Sequence, residues 1–180
     1  TMKKLLLLTI ISVVNSLSAQ RIAVNEIDKF TGAKIVETST LLTKAPDVTF
    51  KLRKVNDSLS MRIFIEKIKR VEIKDSSASI ILLVKDGDKI GLQGKIEYLS
   101  SKERNHSIHW GAGISTGGAI KVSSVTIDVY IPDDVFATLC DNDLTDIRIT
   151  VNGANIDRSL VSYSYSKKLR KMFNLMNNEV

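Results

Sequence analysis

The sequence predicts an α+β fold in which a curved, mainly antiparallel sheet is covered by two helices. Several segments alternate apolar and polar residues with a period of two, as strands with one buried face do. Asp86-Gly87 and Asn152-Gly153 lie between such segments and predict tight hairpins, hence antiparallel pairing. The last residues instead repeat apolar positions every three or four residues, which indicates an amphipathic helix. The 180 residues suffice for one domain with a core.

The predicted central hairpin runs from Ile80 to Tyr98. Its first half, Ile80 to Val84, is a continuous apolar run. Its second half has apolar residues on one parity, and Gly94 is the gap in that series. Asp86-Gly87 separates the two halves and favours a type I′ turn, because glycine and aspartate tolerate the positive φ that this turn needs.

The first nineteen residues have the three parts of a secretory signal. Lys3 and Lys4 supply the positive region, residues 5–14 the apolar region, and residues 15–19 a small, polar end. The apolar region is shorter than the roughly twenty residues that span a bilayer, although a membrane anchor or core helix is the rival interpretation. We therefore expect a signal peptide at 1–19, cleaved after Ala19 or Ser18 and forming a helix outside the core. A single α+β domain at 20–180, without a transmembrane segment, would then be periplasmic or secreted.

The alternating segments of the mature chain predict strands in a definite order. Strands are expected at 21–27 and 34–38, joined by a turn at 28–32, and at 48–52 after Pro46-Asp47. The next strand begins after Asn56-Asp57, covers 59–65 and loses its register near Ile68, where a bulge or break is expected before 71–73. Further strands are predicted at 125–131 and 147–151. Residues 41–45 receive no assignment.

Two helices are predicted in the second half. Pro132 followed by two aspartates suits a helix start, and a short helix would carry Val135, Phe136, Leu139 and Cys140 on one side. The C-terminal helix, residues 164–177, has the apolar stripe Tyr165, Leu169, Met172, Phe173 and Met176. Its other face carries Lys167, Lys168, Arg170 and Lys171. This basic face is expected in water, and attachment to an acidic membrane surface is the alternative.

The segment from Ser100 to Gly118 is the least regular part of the chain. It contains both histidines, the tryptophan and four glycines, and it is predicted to be a long loop projecting from the sheet. The tip of a long hairpin is the alternative. Because long loops often carry function, His106, His109 and Trp110 are the candidate binding residues.

Motifs for catalysis, cofactors or metals lack their required context. Glu103, His106 and His109 would share one face only of a helix, and a closed zinc site needs four ligands. Gly113-Ile-Ser-Thr-Gly117 has the spacing of a nucleophile elbow around Ser115, without the strand-to-helix turn or a later histidine. The glycines at 111–117 fit neither the dinucleotide fingerprint nor a P-loop. Asp141, Asp143 and Asp146 fit helix and turn ends better than a calcium loop. The sequence thus predicts no catalytic residue, no metal and no cofactor. The lone Cys140 is expected to be buried.

The charge is mildly basic. The formal net charge is +6, and loss of the signal removes two lysines. Nucleic-acid binding is not predicted, because a dense basic stripe with interleaved aromatics is missing. The partners expected for an exported chain are an envelope component, a glycan or a protein.

Several short segments give the chain a resemblance to a known group. They are the signal that opens with Lys3-Lys4 and ends with Ser18-Ala19-Gln20, together with Asn25-Glu-Ile-Asp-Lys-Phe-Thr-Gly32, Lys85-Asp-Gly87, Asp146-Ile-Arg-Ile149 and Lys171-Met-Phe-Asn-Leu-Met176. In these pieces the chain resembles the small exported proteins of unknown function that are common in Bacteroidetes. The resemblance implies a periplasmic or secreted location and a mostly antiparallel α+β domain, and it brings no active site.

Three functions follow as hypotheses. The first is an exported, non-enzymatic binding or accessory module, because the chain has an export signal and lacks a convincing catalytic motif. The second is a secreted hydrolase that uses Ser115 with a histidine, or an unrecognised pair of acids. The third is an envelope-associated protein that uses the basic helix face.

Overall fold

The computed structural model describes residues 20–43, 48–69, 76–110 and 114–179. The strands within these residues are β1 (Ile22–Ile27), β2 (Lys34–Thr38), β3 (Leu41–Thr43), β4 (Val48–Val55), β5 (Ser58–Lys69), β6 (Ser77–Val84), β7 (Lys89–Trp110), β8 (Ile114–Tyr130), β9 (Leu144–Val151) and β10 (Ala154–Ser159). The helices are α1 (Asp133–Asp141) and α2 (Tyr165–Asn177), and a 3₁₀ turn at Ser162–Ser164 precedes α2.

The ten described strands form one sheet in the order β1-β2-β4-β5-β8-β7-β6-β9-β10, with β3 paired to β4. Every described pairing is antiparallel. The predicted strand bounds are largely confirmed, and residues 41–43, which had no assignment, form β3. The expected loss of register near Ile68 is also confirmed, because the pairing of β5 with β8 shifts between Ile65 and Ile68.

The core lies on one face of the sheet. Alternate residues of β4, β5, β6, β8 and β9 are fully or almost fully buried, and Phe50, Ile63, Ile80, Ile127 and Ile149 are each 0% exposed. The residues between them lie on the opposite, partly solvated face, which we call the outer face. This is the arrangement that a period of two predicts for a sheet with one buried face.

Helix α2 closes the core. Its predicted stripe is buried completely, with Tyr165, Leu169, Met172, Phe173 and Met176 at 6% exposure or less. The helix contacts β2, β3 and β4 on one side and β9 on the other. Because these strands lie towards opposite ends of the strand order, the sheet must curve for both ends to reach one helix.

Helix α1 packs against α2. The rings of Phe136 and Phe173 have centroids 6.3 Å apart with a tilt of 54°. The Asn174 amide donates to the carbonyl of Cys140 at 3.2 Å, which ties α2 to the last turn of α1. Cys140 itself is only half-buried, so the prediction of a buried thiol is wrong in degree.

The turns of the two predicted hairpins differ. At Asn152-Gly153 both residues have positive φ, 50° and 76°, as a type I′ turn requires. At the central hairpin only Gly87 has a positive φ, 91°, so the prediction of a type I′ turn there is wrong. The amide of Gly87 instead donates to the carbonyl of Val84 at 2.9 Å, and Gly87 then takes the left-handed conformation that returns the chain to the sheet.

The predicted loop at 100–118 is contradicted, and the alternative of a long hairpin is confirmed. Residues 100–110 continue β7, residues 114–118 begin β8, and the two strands pair as far as Trp110 and Ile114. The polar, glycine-containing composition resembles a loop, but cross-strand pairing satisfies the backbone groups without needing apolar side chains.

Gly94, the gap in the apolar series of β7, lies on the core face. A Cβ atom there would come within 2.4 Å of Cγ2 of Ile127 and within 3.0 Å of Cδ1 of Ile80. The gap in the pattern is therefore filled by the side chains of neighbouring strands. Only glycine leaves room for them.

The overall class is dominated by the sheet, with two helices of which one is C-terminal, and is not clearly α+β. The signal peptide at 1–19 and the strand at 71–73 lie outside the described residues. Within the described part of the chain, no helix has both the length and the apolar character needed to cross a membrane.

Candidate functional site

A groove of about 500 Å³ is lined by residues of β6, β7, β9 and β10, most of them on the outer face. Two rows of residues, formed by the strand register, cross it. The first row is Lys89, Leu83, Asp146 and Ser159, and the second is Gly91, Ile81, Arg148 and Asp157. Apart from Gly91, all of these residues line the groove. The antiparallel register thus places apolar residues of β6 between charged residues of its neighbours.

The floor of the groove is apolar. Ile81 is 37% exposed and Leu83 is half-buried, although both lie on the outer face. Gly91, the β7 partner of Ile81, has no side chain to cover it, and a Cβ atom there would meet nothing within 4 Å. Ile81 is therefore open to solvent on that side.

A fixed ion pair forms one wall. The Arg148 guanidinium donates from Nε to Oδ1 of Asp157 at 2.6 Å and from Nη2 to Oδ2 at 2.9 Å. This double hydrogen bond lowers the pKa of Asp157 and raises that of Arg148. Two-point contact holds both side chains in one orientation, so the guanidinium keeps further N–H donors in a defined position.

The first row, in contrast, carries charges without such partners. Among the described residues, neither the Lys89 ammonium nor the Asp146 carboxylate has a hydrogen bond or an ion pair. They lie on either side of Leu83 in the first row. Two strand spacings, about 10 Å, separate their backbones. Both groups are available to a ligand.

The sequence-predicted binding residues lie elsewhere, on the long hairpin. His106, His109 and Trp110 are in β7, with Gly118, Ser115 and Ile114 of β8 as their backbone partners. They are not among the residues that line the groove. A binding role for these three residues stays a prediction.

The candidate catalytic serine and the candidate metal ligands lie in strands, which do not provide the local structure that either kind of site requires. Ser115 lies in β8 and not at a strand-to-helix turn, so the nucleophile elbow is not formed. Its backbone partner is nevertheless His109. Positions 103, 106 and 109 are in a strand, where a spacing of three does not repeat on one face. No group of three or more metal-ligating side chains occurs in the described ranges.

The acids and the thiol near α1 have different local surroundings. Asp143 pairs with Arg170 of α2, with Oδ1 and Nε 3.3 Å apart, whereas Asp146 lies in the groove. The three acids at 141–146 are therefore divided between different surroundings. Partial burial, with the Asp141 charge as a lesser cause, raises the pKa of the Cys140 thiol, which disfavours a thiolate nucleophile.

The basic face of α2 is partly engaged with the fold. Arg170 holds Asp143 across the junction of α2 with the segment that follows α1, while Lys167 and Lys171 are exposed. One of the four basic residues of this face is therefore already engaged in an ion pair within the fold.

Sequence reasoning missed the groove, although a signal was present. Five consecutive apolar residues, from Ile80 to Val84, place apolar side chains on both faces of β6. The core lies on one face of the sheet, so the apolar side chains of β6 that point to the other face lie at the solvated surface. The charged neighbours of this set come from β7, β9 and β10, and only the strand order reveals them.

Comparisons with known proteins give little further guidance. No family model matches the sequence, and no curated protein matches it. Among solved structures, the chain has a weak similarity to a crystal structure of a mutant of the heparan sulfate lyase HepC from Pedobacter heparinus, with 10% identity and a TM-score of 0.22. The match covers 78% of this chain and 27% of the lyase chain. A similarity at this level establishes neither a common fold nor a common function.

Proposed function

We propose that this protein is a non-enzymatic binding or accessory module that acts outside the cytoplasm, with the outer-face groove as its binding surface. One observation carries the binding role: an apolar floor, Ile81 and Leu83, is exposed between fixed and unpartnered charges. Binding sites combine apolar surface with a few placed polar groups in this way. The secretory pattern of residues 1–19 supports the location.

The location is tested by expressing the whole chain in a Gram-negative host and sequencing the N-terminus of the product. The proposal predicts a chain in the periplasm or medium that begins at Gln20 or Ala19. A full-length chain retained in the cytoplasm would refute export.

The binding role is tested by screening the mature chain against glycan arrays, envelope lipids and secreted proteins of the source organism. Hits are then measured with Ile81→Glu and with Leu42→Glu, which alters an apolar residue of β3 that is 55% exposed. The proposal predicts that Ile81→Glu abolishes binding and Leu42→Glu preserves it. Hits that are insensitive to Ile81→Glu would place the binding surface elsewhere.

The backbone pairing of His109 with Ser115 supports a second candidate, a secreted hydrolase. A histidine beside a serine can act as its base. Esterase and peptidase assays of the mature chain, with Ser115→Ala and His109→Ala as variants, test it. Activity lost in both variants would replace the first proposal, and equal activity in all three proteins would exclude Ser115.

A further inference from the structure

We propose that the groove binds an extended peptide segment in which an apolar side chain stands between an acidic and a basic one. This inference rests on the proposed binding function and adds the class of ligand. It is carried by the row Lys89, Leu83 and Asp146, in which opposite charges flank an apolar residue on three adjacent strands.

The two charges need a ligand with charges of its own. Within the described residues, Lys89 and Asp146 have no partner, whereas Arg148 and Asp157 pair with each other. A ligand that covers Leu83 and Ile81 would take water away from both unpartnered groups. Loss of water from an unpaired charge is costly, so the ligand must supply an anion for Lys89 and a cation for Asp146.

An extended peptide meets this requirement with ordinary side chains. In the segment Glu-Ser-Leu-Ser-Lys, the glutamate, leucine and lysine share one face, about 7 Å apart along the chain. The corresponding spacing in the groove is about 5 Å between adjacent strands. The flexible stems of glutamate and lysine cover the difference, and the leucine packs on the apolar floor.

Other ligand classes fit the groove less well. A polyanion such as a sulfated glycan, a nucleic acid or an acidic membrane would be attracted by Lys89, Arg148 and Arg158 but would also meet the acids Asp146 and Asp157, which repel it. A neutral glycan can hydrogen-bond both groups through its hydroxyls but supplies no opposite charge to either. The opposite signs on the two sides therefore favour a partner that carries both signs.

The test uses four fluorescein-labelled peptides and measures fluorescence anisotropy with the mature chain. The central segments are Glu-Ser-Leu-Ser-Lys, Glu-Ser-Leu-Ser-Glu, Lys-Ser-Leu-Ser-Lys and Glu-Ser-Ser-Ser-Lys. The wild-type protein should prefer the first by about fivefold over each of the others, which equals about 1 kcal/mol.

Charge reversal should change the preference in a defined direction. Lys89→Glu leaves two acids beside Leu83 and should prefer the peptide with two lysines, whereas Asp146→Lys should prefer the peptide with two glutamates. Lys171→Glu and Asp57→Lys change exposed charges away from the groove and should keep the wild-type order. Equal binding of all four peptides, or the same order in every variant, would overturn the peptide proposal.

The results distinguish failure of the peptide proposal from failure of the proposed binding function. A glycan or lipid whose binding is lost in Ile81→Glu, together with no charge preference among the peptides, would refute the peptide class and keep the groove as a binding site. Retention of every ligand in Ile81→Glu would refute both.

Discussion

Substitution of Gly94 by alanine tests whether the inner face of the sheet is packed as described. The new Cβ atom would lie 2.4 Å from Cγ2 of Ile127 and 3.0 Å from both Cδ1 of Ile80 and Cγ2 of Val129. Overpacking of this kind costs about 1–3 kcal/mol. Restricting the unfolded chain by a glycine-to-alanine change returns about 0.4–1 kcal/mol. We expect a net loss of about 2 kcal/mol in the free energy of unfolding, towards the upper end because the Ile127 contact is so close.

Urea denaturation measures this change. With a dependence of about 2 kcal/mol per molar urea for a chain of this size, the midpoint should fall by about 1 M. Gly91→Ala is the matched control, because it lies on the same strand and its Cβ atom would meet nothing within 4 Å. It should leave the midpoint unchanged or raise it slightly.

A double-mutant cycle identifies the clash. Ile127→Ala removes the Cγ2 atom, so Gly94→Ala should cost at least about 1 kcal/mol less in that background than in the wild type. Equal costs in the two backgrounds, or a neutral Gly94→Ala, would refute the account of the gap in β7.

Three further predictions concern the β9–β10 turn, the groove wall and the helix. Gly153→Ala should lower the free energy of unfolding by roughly 1 kcal/mol, because φ at this position is 76°; an unchanged urea midpoint would exclude the type I′ turn. Arg148→Met should raise the pKa of Asp157 towards its ordinary value in an NMR titration, and an unchanged pKa would contradict the ion pair. In the wild type the folded state lowers this pKa, so the stability it contributes is present above the unfolded pKa and is lost as pH falls through the folded one. Phe173→Ala, at a fully buried position, should cost about 3–5 kcal/mol. Phe30→Ala, at 99% exposure, should cost less than about 0.5 kcal/mol, and equal costs would mean that α2 does not close the core.

Much of the fold could be predicted because its signals are local. The alternation of apolar residues identifies the buried face of each strand, and the stripe from Tyr165 to Met176 identifies the face of α2 that covers them. Asn152-Gly153 identifies its turn correctly because both residues accept positive φ. Asp86-Gly87 identifies its hairpin correctly but not the type of turn, because only Gly87 adopts a positive φ there.

The errors have a common physical origin. Residues 100–118 have a loop-like composition, but β7 and β8 stabilise each other's backbone there through cross-strand hydrogen bonds. The candidate groove depends on Lys89, Ile81 and Asp146 meeting on three strands that are not all consecutive in the chain. No local pattern encodes that order. The sequence indicates that β6 has apolar residues on both faces, but it does not indicate which charged residues lie beside them.

Backbone amide NMR of the mature chain, titrated with the Glu-Ser-Leu-Ser-Lys peptide, tests the central claim most directly. The account predicts shift changes centred on the amides of Ile81, Leu83, Lys89, Asp146 and Arg148, with little change in α2 or the long hairpin. Changes centred on the hairpin around His106 and His109, or no changes at all, would contradict it.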